Sequence, residues 1–214
     1  MQLDLPTLMT MESFVGACAG AVLLVVWSQN RKKSALALWG LALIGIAAGV
    51  FSLTLESVLD QRLWLILGRT LLAAGCGLTW KAARTFDAKP VRLTLTLLGA
   101  GIIGLASCVP GVRDFAGSLG HAAGAVYLFA AAASLWLSRV ERLAARWPFI
   151  VLTVAHAGVL SVGAYSIFVD SASQGAMPPV MGEFGLIHFE SIIFSIGSAV
   201  LAVALVKERD EAVG

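Results

Sequence analysis

The chain has 214 residues, 58% of them hydrophobic and only 13% charged, about half the charged share of a soluble domain. A formal net charge of +2 comes with no soluble basic face, which excludes nucleic acid as a partner. So little is left outside the apolar stretches that no catalytic domain is expected, and the chain is not read as an enzyme.

Residues 1–13 carry Asp4 and Glu12 but no Lys or Arg, unlike the positive start of a secretory signal. Apolar stretches near the ~20 residues that cross a hydrocarbon core then follow at 9–28, 34–55, 63–82, 92–109, 116–138, 147–169 and 184–206. No alternating ten-residue strand pattern appears, so helices are the expected form. The fold class predicted is therefore all-α, a polytopic seven-helix transmembrane domain over residues 1–206.

Basic residues cluster in every second gap: Arg31 to Lys33; Lys81, Arg84, Lys89 and Arg92; Arg139, Arg142 and Arg146; and Lys207 with Arg209. Positive charge flanking spans is retained in the cytoplasm. The pattern predicts an N-terminus outside and a C-terminus inside, in a bacterial inner membrane, with 207–214 opening a cytoplasmic linker helix. Trp27, Trp39, Trp64, Trp80, Trp136 and Trp147 mostly fall near predicted ends, as interfacial aromatics do.

Gly16 with Gly20, Gly45 with Gly49, and Gly120 with Gly124 each put two glycines on one helix face, for close packing inside the bundle or for a homodimer. Cys18, Cys76 and Cys108 form no C-x-x-C pair and read as packing residues. The outer segment 170–183 has no basic residue and reads as a connector or a cover over the outer mouth.

Ionisable residues inside spans are costly and call for a partner or a task. At ~1.5 Å per residue, Arg69, His121, Tyr165, His188 and Glu190 all fall in the outer leaflet on four helices. Two readings stay open. One is an outward-facing cavity for a small polar or anionic ligand; the other is an Arg69–Glu190 ion pair with hydrogen-bonded histidines. Residues 188 and 190 lie about 200° apart around a helix, so both cannot point squarely inward. His121, His156 and His188 are also formal candidates for haem ligands, although no metal-ligand motif surrounds them; no cofactor is otherwise expected. A retinal protein would need a lysine deep in the last span, whereas Lys207 stands at its cytoplasmic end.

The segments 3–8 (LDLPTL), 35–41 (ALALWGL), 65–72 (LILGRTLL), 80–86 (WKAARTF), 189–194 (FESIIF) and 206–209 (VKER) resemble N-terminal membrane sensor regions of bacterial GGDEF diguanylate cyclases. That resemblance implies a dimeric signal-input module whose last helix leads past Gly214 to a cytoplasmic output domain in cyclic di-GMP signalling. No cyclase domain lies within these residues, so GTP chemistry is not implied for them. A small transporter or channel is the alternative from another class, and a haem electron carrier a third.

Overall fold

The computed structural model describes residues 5–55, 61–89, 91–112, 115–138, 143–172 and 181–213. Among them the chain forms seven helices and no strand: α1 (Leu5–Gln29), α2 (Ser34–Leu55), α3 (Gln61–Phe86), α4 (Leu93–Cys108), α5 (Ala116–Leu137), α6 (Arg146–Ala172) and α7 (Met181–Val213). All but α4 are long and apolar enough to cross a membrane. The sixteen residues of α4 extend about 24 Å at 1.5 Å per residue, short of a hydrocarbon core of about 30 Å. The chain is thus a helical bundle with the make-up of a multi-pass membrane protein.

Helices α1, α2, α3, α5, α6 and α7 close a ring, each packing on the next and α7 returning to α1. Helix α4 stands outside it, against α3 and α5. Glycine sets the tightest crossings. A Cβ on Gly20 would sit 2.7 Å from the Gly40 carbonyl oxygen, and one on Gly49 would sit 2.9 Å from that of Gly68. Backbones therefore touch along α1–α2–α3, as small residues permit. Gly16 and Gly45 also face neighbouring helices within this seam. Gly77 meets the Thr96 carbonyl oxygen where α3 crosses α4. On the other flank of α4, the Tyr127 hydroxyl donates to the Leu95 carbonyl (2.8 Å) and accepts from the Gly99 N–H (2.9 Å). Those two groups would bond each other in an undisturbed helix, so α5 inserts a rung into α4.

One half of the ring is solid. Leu23, Leu36, Trp39, Leu43, Phe86, Leu135, Phe149 and Leu205 form its main buried cluster, with the Trp39 ring 5.4 Å from Phe149 and 5.9 Å from Phe86. The basic residues collect at the end beyond this cluster, where charges are paired. Asp87, whose side chain is 3% exposed, receives Arg209 at 3.3 Å and faces Arg146 at 3.7 Å. Arg209 also donates to the Phe86 carbonyl and lies 3.6 Å from the centroid of its ring. Glu208 accepts the Ala145 N–H just before α6 (3.1 and 3.2 Å), a carboxylate at a helix N-terminus, where the helix dipole favours it. Lys33 binds Asp210. Helix α7 is thereby tied to α2, α3 and α6 at this end.

Helix α7 begins three residues before its predicted start and continues through the charged residues 207–211. Lys, Glu and Arg are good helix formers and carry the turn past the apolar part. Both ends of the predicted outer connector, 170–172 in α6 and 181–183 in α7, are therefore helical; 173–180 lies outside the described residues.

Candidate functional site

The other half of the ring is hollow. A cavity of about 500 Å³ opens there, lined from all six ring helices and of the size that small-molecule sites have. Aliphatic side chains make most of its wall, among them Leu53, Leu65, Leu72, Leu160, Ile167 and Ile187. Cys76, Gly124 and His156 lie on the side nearest the solid half. Gly120 and Gly124, read as a packing pair, face this space.

Of the five residues in the cavity reading of the sequence, Arg69, His121 and His188 line the cavity. Arg69 and His121 converge on Gly117. A Cβ there would stand 3.3 Å from an Arg69 terminal nitrogen, and the His121 Nδ1 lies 3.0 Å from the Gly117 carbonyl oxygen. A carbonyl only accepts, so Nδ1 carries the proton and Nε2 of the neutral ring is left as an acceptor.

Glu190 departs from the expected ion pair. Its carboxylate meets His156 Nδ1 at 2.5 Å, not Arg69, and it is not among the cavity-lining residues. The helix starts early, at Met181, which places Glu190 nine residues in, deeper than the sequence reading had it. His188, almost opposite on α7, meets Glu12 of α1, with Nδ1 2.5 Å from Oε2. The 200° separation is thus resolved by the position of α7 between α1 and α6, one side chain turning to each. His156 further stacks on Phe194, with centroids 4.1 Å apart and planes at 12°.

Tyr165 does not join the site. It is 70% exposed, on the outer surface of α6. Two residues that the sequence reading left out of the site belong to it. Glu12, 4% exposed, was read only as a sign against a signal peptide. His156, 5% exposed, was placed only as a formal haem ligand. The available signal for Glu12 was an acid seven residues inside an apolar helix, where it requires a partner.

All three imidazoles are oriented through Nδ1, by a carbonyl for His121 and by carboxylates for His156 and His188. Such bonds fix the ring and its tautomer. Among the described residues no group of three or more His, Cys, Asp or Glu side chains converges as a metal site. The arrangement can bind and orient a ligand that fills apolar space and presents a polar group to Arg69 and His121.

No protein-family model, curated protein or solved structure matches the chain.

Proposed function

We propose that this chain is a membrane-embedded signal-input receptor, which binds a small molecule in the hollow half of its helix ring and relays occupancy through α7. In this reading it sits in a bacterial inner membrane with seven spans, N-terminus outside and C-terminus inside, and acts as a dimer. The output is a cytoplasmic domain such as the diguanylate cyclase that the family resemblance implies. One observation carries the proposal. Helix α7 lines the cavity with Ile187, His188 and Ser191 and continues unbroken to Glu208, Arg209 and Asp210, which hold it at the basic end. A ligand that favours one packing of the outer half of α7 biases the whole helix, provided its affinity differs between the two packings.

The solid cluster around Trp39, Phe86 and Phe149 stands across the route a permeant would take, which favours a receptor over a channel. The test is a spin-label distance measurement on the full chain in nanodiscs. Labels go on exposed Arg31 and Ala212, with Cys18 and Cys108 replaced by Ser. Replacing Glu12 and Glu190 together by Gln, which weakens both links of α7, is expected to shift or broaden the distance distribution by several ångströms. An unchanged distribution refutes relay through α7. Saturable uptake of a solute into liposomes would instead support a carrier.

A further inference from the structure

We infer that the cavity takes a lipophilic carboxylic acid, with its chain among the aliphatic walls and its head at the Arg69–His121–Gly117 corner. This rests on the cavity being a ligand site, and it replaces the small polar or anionic ligand expected from sequence with an amphiphile. Three observations lead to it. First, the walls supplied by Leu53, Leu65, Leu72, Leu160, Ile167 and Ile187 offer a polar body nothing to replace its water. Burying a polar group without a hydrogen bond is unfavourable in any apolar site, whereas apolar surface gains from the same transfer. Second, a donor and an acceptor both line the cavity, Arg69 against Gly117 and the Nε2 edge of His121 beside Gly163. The Arg69 guanidinium has five N–H donors in a fixed fork, enough to serve a head group beside any other partner. It lies against Gly117, whose carbonyl oxygen holds His121 by Nδ1, leaving Nε2 to accept. Third, the acids that meet the histidines of this half are, among the described residues, already engaged, Glu12 by His188 and Glu190 by His156. Among the described lining residues, Arg69 brings a fixed positive charge to that corner.

A carboxylic acid satisfies this corner with both of its oxygens. Its C=O accepts from Arg69 and its O–H donates to His121 Nε2; if the proton crosses, a carboxylate is left between two cations. An alcohol of equal chain length offers one oxygen in place of two, and a quaternary ammonium meets the guanidinium with like charge. The acid form also dissolves in the bilayer from which the ligand arrives.

The experiment measures equilibrium binding of radiolabelled decanoate to the full chain in nanodiscs, with empty nanodiscs as background. Unlabelled decanoate, decanol and decyltrimethylammonium serve as competitors. Saturable binding displaced by decanoate at least tenfold more effectively than by the other two is expected. His121→Ala is expected to weaken it at least tenfold. Leu160→Trp, which fills the apolar part and leaves the corner intact, is expected to abolish it while the protein still elutes as the wild type does. Binding no greater than in empty nanodiscs, equal displacement by decanol or by the cation, or indifference to both substitutions would overturn the inference. Decanoate that binds as expected yet leaves the Arg31–Ala212 distance unchanged removes the receptor reading and leaves the ligand class standing. A distance that responds to the Glu12 and Glu190 substitutions in a protein that does not bind decanoate does the reverse.

Discussion

Replacing Asp87 by Ala should be among the most damaging single changes in the chain. The Asp87 side chain is 3% exposed and those of Arg146 and Arg209 are 2% and 22% exposed. Its removal takes from two guanidiniums, one buried and one largely covered, the carboxylate that both of them face. Breaking a buried pair from one side costs about 3–5 kcal/mol. Solvent reaches Arg209, so the lower end of that range, about 3 kcal/mol, is the better expectation here. At about 2–4 °C per kcal/mol for a chain of this length, the midpoint of thermal unfolding in detergent should fall by roughly 6–12 °C. A cycle of Asp87→Ala, Arg209→Ala and the double variant should return a coupling of about 1–3 kcal/mol. Arg209→Lys should recover only part of the loss, because an ammonium cannot lie flat on the Phe86 ring and fork to carboxylate and carbonyl together. A fall of less than about 2 °C for Asp87→Ala would refute the reasoning, since it would mean that the guanidiniums are satisfied without this carboxylate.

Gly77→Ala should separate α3 from α4, because its Cβ collides with the Thr96 carbonyl oxygen. Gly101→Ala, with nothing within 4 Å, should be neutral or stabilising by up to about 1 kcal/mol; equal thermal midpoints for the two variants would refute the close crossing. Tyr127→Phe should cost about 1 kcal/mol and speed amide exchange at Gly99, and unchanged exchange there would mean that the phenol is not a rung of α4. Ala88 has φ 54° at the end of α3, so Ala88→Gly should raise stability by about 1 kcal/mol, read by the same melt. In spheroplasts a membrane-impermeant maleimide should label exposed Cys108 from the outside and leave buried Cys76 unmodified; labelling of Cys108 only after lysis would reverse the proposed orientation.

The helical class and much of its layout were legible in hydropathy alone, since backbone groups in lipid must be satisfied within a helix. Ser34–Leu55 occupies the same residues as the second apolar stretch because Lys33 before it and the end of the apolar run after it mark both limits. Hydropathy falters where charge enters a helix that continues. It ended the third stretch at residue 82 and the seventh at Val206, although residues 83–86, with Arg84, and 207–211 continue both helices with good helix formers. Depth counting grouped Arg69, His121 and His188, and all three line one cavity. It could not give Glu190 its partner, since residues about 200° apart on α7 face different helices and only the order around the ring says which. It said nothing of Tyr165's direction, because four positions along a helix define a face only once the neighbours are known. Pairing was the least legible feature. Which acid meets which imidazole depends on the order of helices around the ring, and loop sequences do not encode it.

The seam along α1, α2 and α3 joins main chain to main chain, through Gly20, Gly40, Gly49 and Gly68. The outer part of α7 is instead linked to its neighbours through the side chains of Glu12–His188 and His156–Glu190. The first kind of joint has a single seating, since any twist drives one backbone into the other. The second kind is a linkage of jointed rods, whose torsions can follow a helix through a small turn and keep hold of it. The molecule thus uses two kinds of joint: three helices seated main chain on main chain, and a fourth held to its neighbours through side chains.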